Sequence, residues 1–80
     1  MSSIVQSIII KKSLEFPNLN IMKTWINDSG FNYKKHDISS GGLYRFRQYD
    51  PAYLKKYRGI EKYKIKKIND NIMLVVGFKK

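Results

Sequence analysis

The chain has 80 residues, no cysteine, and sixteen Lys and Arg against six Asp and Glu, for a formal net charge of +10 at pH 7. Such a length builds one small domain over residues 1–80 with a single core, too little for a deep, water-excluded catalytic cleft. Without cysteine there is no disulfide, thiolate metal site or cysteine nucleophile, which suits a reducing compartment.

The start, MSSIVQSIII, lacks a basic leader region and meets Lys11-Lys12 after a short apolar run, unlike a secretory signal. No apolar run approaches the roughly 20 residues of a bilayer span. Residues 4–11 are β-branched and read as a buried strand. Phe16-Pro17 ends the connection that follows, and Asn18 is placed to cap a helix over 19–28. Leu19, Ile21, Met22, Trp25 and Ile26 form its apolar stripe. Gly30 fits the left-handed position past the helix, with Phe31 supplying the apolar contact of a Schellman ending.

Residues 32–38 alternate weakly, consistent with a strand, and 39–42 (SSGG) read as a turn. Residues 43–49, LYRFRQY, alternate cleanly. Tyr44, Phe46 and Gln48 fall on one face, and Arg45, Arg47 and Tyr49 on the other. Asp50-Pro51 breaks that strand and starts a short helical turn over 52–57. Alternation resumes over 60–68, with Tyr63 and Ile65 opposite Lys62, Lys64 and Lys66. Asn69-Asp70-Asn71 joins this run to 72–78 as a hairpin. That last run, IMLVVGF, is the most apolar and is expected at the centre of its sheet. The order β-α-β-β-β-β predicts an α+β fold, one helix packed on a small antiparallel sheet.

The charge is concentrated between residues 43 and 68, which hold nine basic and two acidic residues. A polyanion would relieve the self-repulsion of so basic a chain. Nucleic acid is the commonest such partner, followed by an acidic membrane or protein surface. Lysine enrichment also arises from solubility or from an AT-rich genome, since Ile and Asn are abundant here too. Arg45, Arg47 and Arg58 are not explained by a lysine bias.

Arg45 and Arg47 stand about 7 Å apart on a strand, near the phosphate repeat of a nucleic-acid strand. With Tyr49 as a stacking platform they suggest a phosphate-tracking face. The plainer alternative pairs them with Asp37 or Asp50. Lys62, Lys64 and Lys66 form a second stripe, which merges with the first if 60–68 lies near 43–49. Lysines also protect strand edges from mispairing. Tyr53 and Tyr57, with Lys55, Lys56 and Arg58 around them, read first as caps on a small core and second as a stacking patch. Trp25 belongs to the core. His36 is the sole histidine and has no evident nucleophile or second ligand. The carboxylates are scattered, and Gly41-Gly42 is no phosphate loop. No enzyme, cofactor or metal site is expected.

The order of motifs resembles a small uncharacterised domain that recurs in large DNA viruses and tailed phages. The resemblance runs from about residue 4 to 78. It rests on Lys23-Thr24-Trp25-Ile26, on Gly30-Phe31, and on Tyr44-Arg45-Phe46-Arg47-Gln48 with Asp50-Pro51, followed by a last apolar strand ending near Gly77. Asn18 or Asn20 stands where that domain has Ser with acidic residues following, and Ile26 replaces its usual Leu. The resemblance implies a viral α+β protein and carries no catalytic residues. Its setting would be the virion or the infected cell, without secretion.

The expected function is therefore non-sequence-specific nucleic-acid binding through Arg45, Arg47, Tyr49, Lys55, Lys56, Arg58, Lys62, Lys64 and Lys66. The alternative is a viral structural or assembly protein that docks on another protein, or pairs with its own twin along a strand edge. Neither reading involves a membrane or a small-molecule substrate.

Overall fold

A computed structural model describes residues 3–39 and 41–79. Residue 40, inside the expected 39–42 turn, and residues 1, 2 and 80 lie outside the described residues. The elements are β1 (Ser3–Lys11), α1 (Leu19–Asp28), β2 (His36–Ser39), β3 (Leu43–Arg47), α2 (Pro51–Tyr53) running into a π-helical turn (Leu54–Arg58), β4 (Ile60–Lys67) and β5 (Ile72–Lys79). The five strands form one sheet in the order β2-β3-β1-β5-β4, with every neighbouring pair antiparallel. The α+β architecture matches the pattern of the sequence.

The helix forms where its caps dictate. Asn18 Oδ1 accepts from the Ile21 N–H at 3.1 Å, satisfying a donor with no partner inside the helix. At the other end the Phe31 N–H donates to Ile26 O at 2.9 Å and the Gly30 N–H to Asn27 O at 3.0 Å. Gly30 has φ 84°, so both Schellman bonds close without a Cβ penalty. Met22 and Ile26 are buried against Ile8, Ile10, Phe16, Phe46 and Ile72, with Trp25 and Tyr44 packed around them. The Trp25 ring meets Phe16 edge-on, with centroids 6.4 Å apart.

The middle strand is β1, the first of the two strongly apolar runs. The sequence pattern favours β5 for that position. Its hairpin with β4 leaves β5 interior but one strand from the edge. The hairpin closes through Asn69, whose Oδ1 accepts from the Asn71 N–H at 2.8 Å and the Ile72 N–H at 3.0 Å.

In β3, Phe46 lies opposite Ile8 and Tyr44 opposite Ile10, on the face that α1 covers. Arg45 lies opposite Ile9 and Arg47 opposite Ser7, on the outer face. The strand ends at Arg47, short of the expected 49, because β1 bulges at Gln6. There the Gln48 and Tyr49 N–H groups both donate to Gln6 O, and Gln6 Nε2 donates to Tyr49 O at 2.8 Å. The bulge turns the chain out of the sheet. Asp50 then caps α2, accepting from the Ala52 N–H at 2.9 Å. The π-helical turn ends at Gly59 with φ 67°, whose N–H donates to Leu54 O. Together α2 and this turn carry the chain past the end of the sheet where β1 begins and β5 finishes.

Candidate nucleic-acid interface

Arg45 and Arg47 project together from the outer face, as their parity requires. Arg45 is exposed and Arg47 half-buried. Arg47 Nη2 stands 3.7 Å from Asp37 Oδ2, while Asp37 faces Arg45 across the β2–β3 ladder. A concavity of about 270 Å³ opens here, lined by Ile9, Asp37, Ser39, Leu43, Arg45 and Arg47. Asp50 takes no part in pairing the arginines, since its carboxylate is the cap of α2.

The lysine stripe does not merge with this face. Lys62, Lys64 and Lys66 lie opposite Phe78, Val76 and Leu74, and Leu74 in turn lies opposite Ile8. The three lysines therefore point to the helix side of the sheet, away from Arg45 and Arg47. Strands β1 and β5 also intervene, about 14 Å at ordinary strand spacing. The hairpin register sets the lysines' face, and the sheet order sets their distance. On that side Lys64 Nζ sits 5.9 Å from the centroid of the Phe78 ring.

The tyrosines are also placed differently from the core reading. Leu54 is the residue of this segment that is fully buried, whereas Tyr49, Tyr53 and Tyr57 are 37%, 43% and 64% exposed. The rings form a ladder. Tyr49 and Tyr53 are 6.4 Å apart and within 16° of parallel, and Tyr53 and Tyr57 are 5.0 Å apart with a 42° tilt. Tyr53 and Tyr57 come together four residues apart on the helical segment, and Tyr49 joins them from just before the Asp50 cap. That spacing was visible in the sequence for all three, but the apparent strand ending at 49 separated Tyr49 from the other two.

The cations beside the ladder come from the same short segment. Lys56 Nζ lies 5.2 Å from the centroid of Tyr57. Lys55 Nζ reaches Glu61 Oε1 at 3.9 Å, with both groups exposed, so the pairing is weak. Arg58 is exposed at the end of the π-helical turn. Tyr49 leaves β3 two residues after Arg47, so the outer-face arginines lead directly into the ladder.

His36 is half-buried, with its ring 5.8 Å from that of Phe46. Among the described residues there is no grouping of three or more histidines and carboxylates fit to hold a metal ion, and no helix is long and apolar enough to cross a membrane. No family model matches this chain, and neither a curated protein nor a solved structure shows significant similarity to it.

Proposed function

We propose that this protein binds single-stranded nucleic acid without sequence specificity. The observation that carries the reading is the exposed ladder of Tyr49, Tyr53 and Tyr57, bordered by Lys55, Lys56 and Arg58. Every base presents a π-face, so tyrosine stacking tolerates any sequence, while the cations neutralise phosphates along the strand. Arg45 and Arg47 extend the cationic track onto the outer face of β3. Lys62, Lys64 and Lys66 form a separate cationic surface on the other side of the sheet. The proposed activity is binding, with no catalytic step. The sequence resemblance puts it in a viral protein, acting in the virion or the infected cell.

Fluorescence anisotropy of labelled oligonucleotides across several salt concentrations tests the reading. With about six phosphates neutralised, log K falls against log salt with a slope near −4 for a single strand. Binding weakens when Tyr53 and Tyr57 are replaced by alanine. A slope near zero, or an affinity unchanged by both tyrosine substitutions, overturns the proposal.

A second reading has its own support. One edge of β4 is unpaired over eight residues, and Tyr63 and Ile65 are exposed on its outer side. A protein partner, or a twin chain, adding a strand there would make this a viral structural or assembly protein. Light scattering that gives a dimer mass, together with weak, length-independent oligonucleotide binding, favours this reading over the first.

A further inference from the structure

A concavity of about 360 Å³ runs beside α1, lined by Glu15, Phe16, Ile21, Thr24, Trp25 and Asp28. The last four are spaced i, i+3, i+4 and i+7, so they share one flank of the helix, next to the buried Met22 and Ile26. Glu15 and Phe16 come from the connection that leads into the helix. Ile21 is 42% exposed and Trp25 half-buried, and the buried Phe16 ring stands at 90° to the indole. The two carboxylates are the ones that the rest of the fold leaves unused. Of the six in the chain, Asp37, Glu61 and Asp70 stand beside Arg47, Lys55 and Lys67, and Asp50 caps α2. Glu15 and Asp28 pair with no lysine or arginine among the described residues. Glu15 Oε2 accepts from Asn71 Nδ2 at 3.4 Å. Asp28 sits in the last turn of α1, which holds no basic residue, where the negative end of the helix favours a cation. In a chain of net charge +10, this groove sets two exposed carboxylates over an apolar floor.

We infer that this groove docks an arginine side chain carried, beside an apolar residue, on a segment of another protein. A guanidinium is flat and weakly hydrated, stacks on an aromatic ring and forks onto a carboxylate. Against Trp25 it meets Glu15 or Asp28 with its donors, while the apolar neighbour covers Ile21. An ammonium is compact and strongly hydrated, so lysine gains less from the same surface. The carboxylates repel phosphate, so the groove lies outside the proposed nucleic-acid track, and the inference does not rest on that track. A second copy of this chain is disfavoured, because two chains of +10 repel each other. That repulsion fades over a screening length of about 8 Å. The partner is therefore basic where it enters the groove and neutral or acidic elsewhere.

Trp25 is the sole tryptophan, so its fluorescence and its indole N–H signal in NMR report on the groove directly. The experiment titrates the full chain with the acetylated amides of arginine, lysine and citrulline, and with an acetylated Leu-Arg-Leu amide. Citrulline keeps the shape of arginine without its charge. Arginine should bind about ten-fold more tightly than citrulline, with lysine between them, and the tripeptide more tightly than arginine alone. Glu15→Gln and Asp28→Asn should each weaken the tripeptide about three-fold, and together about ten-fold. Both residues are exposed, so the melting temperature should hold, and Asp28→Asn should raise it slightly by relieving the helix end. Glu61→Gln, at the opposite end of the β4–β5 hairpin from Asn71, should change nothing.

Citrulline binding as well as arginine, or a double variant that binds like the parent chain, overturns the site. Self-association that Asp28→Asn abolishes makes a second copy the occupant and overturns the assignment to another protein. An oligonucleotide that displaces the tripeptide from the groove overturns it as well. If the tripeptide binds here but no oligonucleotide binds anywhere, the groove stands and the nucleic-acid reading fails.

Discussion

Gly77 of β5 lies directly against the ring of Tyr63 in β4. A Cβ built on Gly77 would stand 2.9 Å from Tyr63 Cε1 and 2.7 Å from Ile60 Cγ2. The absent side chain lets the Tyr63 ring lie flat on the outer face, and β4 docks there at its first residues. Gly77→Ala must push aside Ile60, which is buried and stiff at its branched Cβ. Crowding of this kind costs about 1–3 kcal/mol. A urea melt should show the loss, and amide exchange should rise first in β4. Unchanged stability would mean that Ile60 and Tyr63 yield freely.

The main core leaves less room for compromise. Phe46 is fully buried between α1 and the sheet. Phe46→Ala should cost about 3–5 kcal/mol, much of the stability of a chain this small. Loss of the cooperative thermal transition is the expected observation.

The Asn18 cap gives a smaller effect at an exposed position. Asn18→Ala removes the bond to the Ile21 N–H and should lower stability by about 1 kcal/mol. Asn18→Ser or Asn18→Asp should restore it. Equal stability across the three variants would show that water serves the helix end as well as the side chain does.

For binding, stability and affinity should separate at the ladder. Tyr53 and Tyr57 are exposed, so their alanine variants should fold with nearly unchanged melting temperature. Each should lose about 1–3 kcal/mol of single-strand affinity. Phenylalanine at either position should keep most of it, because the ring face, not the hydroxyl, makes the contact. A Tyr57→Phe variant as weak as Tyr57→Ala would mean that the hydroxyl matters instead.

The two cationic sets make a further distinction, because they face opposite ways. Arg45→Ala with Arg47→Ala should reduce the salt slope by about 1.4, at roughly 0.7 per phosphate contact on a single strand. Replacing Lys62, Lys64 and Lys66 together should leave the slope nearly unchanged for an oligonucleotide too short to wrap the sheet edge. Equal losses from both sets on a short strand would contradict the separation of the faces. The effects of the two groups should add, since they share no partners.

Much of this molecule follows from local sequence. Asn18, the apolar stripe from Leu19 to Ile26, and Gly30-Phe31 specify α1 and both of its ends, because capping and helical periodicity act within a few residues. Alternation in LYRFR decides that Phe46 turns inward and Arg45 and Arg47 outward, because successive strand side chains must alternate. Asn69 likewise writes the β4–β5 hairpin into a few consecutive residues.

What the sequence left open depends on contacts between distant residues. The lysines of β4 have a legible parity among themselves, but their face relative to Arg45 exists only once the hairpin register and the order β2-β3-β1-β5-β4 are in place. Tyr49 joins Tyr53 and Tyr57 because the bulge at Gln6, forty-three residues away in sequence, draws the chain out of β3. Periodicity carries the direction of a side chain within its own element. Which surfaces become neighbours is decided by strand pairing, since hydrogen bonds between strands join residues that no local pattern links.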